Sequence, residues 1–358
     1  NYPLCCYSME DDRFFAEVQV EPDAKNILKY LARIEKQQSR DCRIVCGYEA
    51  GCLGYSLYHQ LHAHGIDCVI LAPTTMMTKP GKRIKTDRRD ARLISKCLAF
   101  HTYSPVYIPT EVDDTVKEYI RMRDDANSAL ARVKQQIIAF CIRHGKIHDG
   151  KSYWTNKHLE WLSSLDLGNK ILSEVLQEYL IRYYQLREQV DVYDMRINEL
   201  AQAEPYRQKV EKLGCFRGIA AHTALSFCVE VGDFRRFATA QQFASYLGLV
   251  PGECSSGDKQ QYTGITKAGN SHLRKLLVET AQVFGRSATK SGKSVALKER
   301  QAKCDSLTVA YADKANARLK KKYFKIAMRS KVNIAKTAVA REMACFIWGM
   351  MTDNISCA

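Results

Sequence analysis

Apolar positions follow three different rhythms along this chain. In the first hundred residues they come in short alternating or continuous runs. Tyr2 to Ser8 and Phe14 to Val20 read as strands on either side of the turn-like Glu10-Asp11-Asp12. Asp23 is placed as the N-cap of a helix whose apolar residues are Ile27, Leu28, Leu31 and Ile34. An apolar run ending at Glu49 predicts a strand, Tyr55 to His64 a helix, and Cys68 to Leu71 another strand. A polar loop from Thr74 to Lys85, with Pro80-Gly81, then leads into a helix bearing Asp87 and Asp90. Strands followed by alternating helices and strands predict α/β layers over residues 1–110.

From Thr115 to Leu200 the period changes. Leu172, Leu176, Tyr179, Tyr183, Leu186, Val190, Tyr193, Ile197 and Leu200 recur at alternating spacings of four and three. Tyr119, Arg123, Ala126, Leu130, Val133, Ile137 and Phe140 keep the same spacing. Two long helices with a heptad seam predict a coiled coil over 111–205, its helices joined by Lys146 to Asp166. Pairing within one chain and pairing across a dimer both satisfy the seam, and association between copies is the expectation taken here.

The third region, 206–358, is mainly helical. Leu213 to Ala224 is similar to a helix-hairpin-helix, with Ala220 where a second glycine is usual; a plain helix-turn-helix packing unit fits equally. Ser255-Ser256-Gly257 follows Gly248-Leu249-Val250-Pro251 and precedes Thr266-Lys267-Ala268-Gly269-Asn270. A serine in such a loop is ordinarily a turn residue. Here Asn270 or Ser271 can cap the next helix, whose free N–H groups favour a phosphate, and Lys267, Arg274 and Lys275 add cations beside it.

Charge sharpens the partner class. The 358 residues carry a formal net charge of +15, and twenty basic against seven acidic residues lie from Gly257 onward. Because that stretch is interleaved with Leu319, Tyr323, Phe324, Ile326 and Met328, a folded basic surface for a polyanion is expected. The 14 cysteines include no Cys-x-x-Cys pair, and there is no apolar stretch long enough to span a bilayer. A reducing cytoplasmic setting is the expectation, with no membrane partner and no structural zinc.

Glu49, Asp87 and Asp90 are the candidate chemistry. A carboxylate at a strand tip and two more three apart on one helix face offer the oxygen ligands that Mg²⁺ prefers. Lys82, Arg83, Lys85, Arg88, Arg89 and Arg92 surround the two aspartates, so surface ion pairs are the alternative. If the carboxylates hold metal, Arg83, Lys85, Arg88 and Arg89 can grip nucleic-acid backbone beside it.

Gly47-Tyr48-Glu49-Ala50-Gly51, Lys85-Thr86-Asp87-Arg88-Arg89-Asp90-Ala91 and the two glycine-bearing motifs around Ser256 occur together in this order. With these, essentially the whole chain resembles the insertion-sequence one-ten family of transposases, bridge-RNA-guided recombinases with an acidic DEDD set. The resemblance implies an RNase H-like, RuvC-like first domain and a serine-bearing C-terminal transposase domain. It implies that Glu49, Asp87 and Asp90 are the second, third and fourth acidic residues and bind Mg²⁺. Ser256 then matches the nucleophile that forms a protein–DNA link, with Ser255 as the fallback. Donor and target DNA, a structured guide RNA and a homo-oligomer with a composite active site are the implied partners, in a bacterial or archaeal, nucleoid-associated setting. A junction-cleaving metal nuclease, or an inactive nucleic-acid-binding remnant, are the alternatives.

One departure accompanies the resemblance. The family's first aspartate lies on an opening strand of Gly-Ile-Asp type, which this sequence lacks; Asp11 and Asp12 fall in a turn and do not take that role. The expectation is that about ten residues are missing ahead of Asn1, judged from ordinary strand and turn lengths, and that the chain as written is impaired.

Overall fold

Alternation and heptad spacing both surface as regular elements in the computed structural model, which describes residues 1–37, 43–51, 53–76, 86–253, 261–286 and 292–355. The architecture is mixed α/β, mainly helical, with small sheets. The chain divides into two compact units, 1–108 and 109–358.

In the first unit, β1 (Tyr2–Ser8) and β2 (Arg13–Val20) form an antiparallel pair. Helix α1 (Ala24–Gln37) follows, with Asp23 Oδ1 accepting from the Lys25 N–H at 2.8 Å, as a capping residue does. Next come β3 (Val45–Glu49), α2 (Ser56–Ala63), β4 (Asp67–Leu71) and α3 (Asp87–Ala99). β3 and β4 are parallel, with Glu49 opposite Leu71. Among the described residues the strands pair only in twos, so β1 and β3 share no ladder. Ile27, Leu31, Ile34, Leu57, Leu61 and Cys68 form the buried core of this unit.

The second unit opens with α4 (Glu111–Arg143), capped by Thr110, whose side chain accepts from the Asp113 N–H at 3.1 Å. After α5 (Asn156–Ser163), α6 (Lys170–Gln202) runs antiparallel to α4, bringing Tyr193 to Tyr119 and Tyr179 to Phe140. The heptad positions Leu176, Tyr183 and Val190 pack against Leu130, Val133, Ile137 and Phe140. The seam is therefore filled within the chain, and association between copies has to use other surfaces. Helix α5 occupies what was expected to be a linker, because Leu159, Leu162 and His158 bury themselves against this hairpin.

Then follow α7 (Arg207–Gly214), α8 (Ala221–Val231), α9 (Ala240–Tyr246), β5 (Pro251–Glu253), β6 (Tyr262–Ile265), α10 (Ser271–Arg286), α11 (Val295–Gln301), α12 (Ser306–Ala327) and α13 (Val332–Met351). The turn between α7 and α8 lies in the core: Cys215, Phe216 and Ile219 are fully buried, and the Arg217 N–H donates to Asn316 Oδ1 at 2.9 Å. The basic stretch is folded, with Leu319 and Tyr323 buried while Lys321, Lys325 and Arg329 stay exposed. The described cysteines are free thiols, and no described helix is long and apolar enough to cross a membrane.

Candidate functional site

The acidic residues are carried by β3 and the first turn of α3. Gly47 lets these two elements meet: a Cβ there would lie 2.9 Å from both Leu71 Cδ1 and Leu98 Cδ2, inside contact distance. Helix α3 packs on β3 and on β1. Thr86 caps it by accepting from the Arg89 N–H at 3.4 Å, which puts Asp87 and Asp90 at the positive end of the helix. There the dipole favours two negative charges that lie one turn apart on one face.

Arg88, between them, and Arg92, just beyond, are committed elsewhere. Arg88 and Arg92 both donate to Glu17 on β2, the Arg92 Nε at 3.0 Å, and together they hold the Glu17 carboxyl down to about 2, with the Arg88 hydrogen bond the larger cause. Among the described residues neither Asp87 nor Asp90 has a cationic partner, and neither does Glu49. Of the cations around them, Arg88 and Arg92 are turned away from these carboxylates, and Arg88 serves first as a tie between α3 and β2. In kind, three carboxylates with no cationic partner among the described residues fit a hard divalent cation. They are not assembled into a ready ligand cluster, since no three His, Cys, Asp or Glu of the described residues gather closely enough to hold an ion.

Arg83, Lys85, Ser255 and Ser256 lie outside the described residues. What is described is the frame around the two serines. β5 and β6 pair antiparallel on either side of 254–260. At their base the two glycine-bearing motifs lock together: Thr266 N–H donates to Val250 O at 2.9 Å, Lys267 N–H to Gly248 O at 3.1 Å, and Asn270 N–H to Tyr246 O at 2.9 Å. Gly269 has a φ of +85°, and a Cβ there would sit 2.1 Å from Tyr246 O. Gly269→Ala combines left-handed strain with overpacking against backbone, and we expect a loss of about 3 kcal/mol, read as a lowered urea midpoint at unchanged slope.

The predicted phosphate-binding residues divide in two. Asn270 caps α10, its Oδ1 accepting from the Leu273 N–H at 2.9 Å, while its Nδ2 donates to Glu230 Oε2 at 2.5 Å and Tyr246 Oη at 3.2 Å. Arg274 Nη1 donates to Leu247 O at 2.9 Å. Both are engaged inside the fold. Lys267 and Lys275 are exposed and free to meet an anion.

The spacing of sequence motifs gave no sign of a half-buried charged cluster beside this frame. His272 Nε2 lies 2.8 Å from Asp124 Oδ2 and His272 Nδ1 bonds Glu230 Oε1. Both partners only accept, so both ring nitrogens must carry protons. Burial works against that charge, but hydrogen bonds to Asp124 and Glu230 outweigh it and raise His272 to about 9. Asp124 is likewise pushed up by burial, yet His222, His272 and Arg123 hold it well below the usual carboxylate range. His222 Nε2 stands 3.0 Å from Asp124 Oδ1, close enough to pair but without a well-directed hydrogen bond. Arg123 bridges Asp124 (3.1 Å) and Asp194 of α6 (2.7 Å). The available signal was Arg123 itself, a charge standing in a heptad seam.

Comparison with known proteins bears on both units. A DEDD-type family model described as "Transposase" matches residues 3–142. The model described as "Transposase IS116/IS110/IS902 family" matches residues 211–300. The chain is 35% identical over 307 residues to the y4qE transposase of Sinorhizobium fredii, covering 86% of this chain and 75% of that protein. It is 32% identical over 314 residues to the transposase for insertion sequence element IS1533 of Leptospira borgpetersenii, covering 86% and 88%. With the transposase for IS1111A of Coxiella burnetii it shares 26% over 268 residues, 71% of each.

Proposed function

This chain belongs to the IS110 family of insertion-sequence transposases, and from that membership we propose that it cuts and rejoins DNA with two chemical groups, an acidic site and a serine. Unit 1 is read as an RNase H-like domain in which Glu49, Asp87 and Asp90 would hold Mg²⁺. When bound, such an ion stabilises charge that develops on phosphate oxygens. Ser256 is read as the nucleophile, with Ser255 the fallback. Its Oγ forms a bond to phosphorus as one P–O bond to deoxyribose breaks, and the hydroxyl proton ends on the released sugar. One ester replaces another, so exchange needs no external energy source.

The observation that carries this reading is that Arg88 and Arg92 pair with Glu17, and that Asp87 and Asp90 have no cationic partner among the described residues. Exposed Lys267, Lys275, Lys321, Lys325 and Arg329 supply cations for backbone phosphates. A composite site, with the serine unit of one subunit acting beside the acidic unit of another, requires an oligomer. The outer face of α6 exposes Ile181, Tyr184, Val192 and Met195, which supports pairing there.

Target choice is assigned to a structured guide RNA that pairs with donor and target DNA. The test is native purification of the chain, sequencing of the RNA that accompanies it, and a strand-exchange assay before and after ribonuclease treatment. Loss of exchange on treatment, with recovery when the RNA is returned, is the expected result. Exchange that survives complete RNA removal would overturn the guided reading.

A further inference from the structure

The Asp124–His272–Glu230 cluster does more than join helices, because its last member is shared with the frame of the serine. Glu230 Oε1 receives His272 and Glu230 Oε2 receives Asn270, which also bonds Tyr246 Oη. The backbones of Asn270 and Tyr246 make one of the three hydrogen bonds that lock the base of the β5–β6 pair. We propose that His272 is a positioning residue for strand exchange: its imidazolium, held between Asp124 of α4 and Glu230 of α8, fixes the turn from which the serine-bearing hairpin is built. This rests on the reading of Ser256 as nucleophile.

The chemistry of the cluster explains why a charged ring is needed. A neutral imidazole donates one hydrogen bond, so it can satisfy Asp124 or Glu230 but not both. On deprotonation one half-buried carboxylate loses one of its donors and faces another carboxylate across the ring, a costly arrangement. The groups that set the balance come from every neighbouring element: Arg123 and Asp124 on α4, Asp194 on α6, His222 and Glu230 on α8, and Tyr246 on α9. Release of Glu230 frees Asn270, and with it the turn that carries Gly269.

Two measurements on the full-length chain decide the matter. The first is a histidine-labelled NMR titration, with the His272 signal identified by its absence in His272→Gln. A midpoint near 9 is expected in the unmodified chain, moving down by about one pH unit or more in Glu230→Gln. A midpoint at the ordinary histidine value, or one that Glu230→Gln leaves in place, would overturn the proposal.

The second is the rate of protein–DNA adduct formation against pH. Its alkaline limb should move to lower pH in Glu230→Gln by the same amount as the NMR midpoint, and stay put in Tyr246→Phe. A uniform drop in rate with an unmoved limb would mean the cluster only holds the fold together, and positioning would be wrong. Failure of the serine reading looks different. The unmodified chain would then form no adduct at any pH, while amide exchange across 266–270 would still rise as His272 loses its proton.

Discussion

Ser256→Ala is expected to eliminate every covalent protein–DNA species and to lower strand exchange by about 10⁴-fold or more, the scale set by removal of a nucleophile that works with its partners as one unit. The substitution deletes one oxygen in the segment between β5 and β6. A denaturing gel separates DNA-linked protein from free protein, and circular dichroism confirms that helix content is unchanged. In a nuclease that uses water as the attacking group, the same variant would keep cutting DNA at a normal rate. If the adduct persists in Ser256→Ala and disappears in Ser255→Ala, the neighbouring serine carries the chemistry.

Asp90→Asn and Asp87→Asn should each cost about 10³-fold in exchange, the several kcal/mol of transition-state stabilisation that a divalent ion supplies. Neither carboxylate has a cationic partner among the described residues, so no ion pair with a described residue is lost with it. The stability change expected from the described surroundings is the helix-dipole contribution, about 0.3–1 kcal/mol at a first turn. A large activity loss with a nearly unchanged unfolding midpoint is therefore the signature. Mn²⁺ titration followed by electron paramagnetic resonance gives a readout independent of activity and should show weaker binding in both variants. Equal binding and full exchange would return the two aspartates to the status of ordinary surface charges.

Much of the fold was legible because its elements are short and well punctuated. Strands at Tyr2–Ser8, Arg13–Val20, Val45–Glu49 and Asp67–Leu71 fall within a residue or so of the runs that predicted them. Their pairing was not legible, since alternation marks a buried face without naming the neighbouring strand. The heptad spacing correctly located two long helices, yet a seam does not say whether its partner is in the same chain. Helix α5 escaped notice because eight residues make barely two turns, too few for a 3.6-residue period to stand out.

For the site, individual carboxylates and the serine motif could be proposed from residue type and spacing, whereas commitments between side chains could not. That Arg88 and Arg92 turn to Glu17, 71 and 75 residues away in sequence, depends on how α3 lies across β2. The Asp124, His222, Glu230 and His272 cluster draws on three distant segments and follows no spacing rule. Asn270 was read as a phosphate-binding cap; it does cap α10, but its remaining donors are spent on Glu230 and Tyr246.

The most direct test of the whole account is recovery of the DNA-linked peptide after the full-length protein reacts with its donor DNA. Mass spectrometry should find a nucleotide phosphate esterified to Ser256, formed in the presence of a divalent ion and absent from Asp90→Asn. Cleaved DNA carrying no peptide, or an adduct that forms equally well without Asp90, would contradict the claim that a serine and an acidic site act on one phosphodiester.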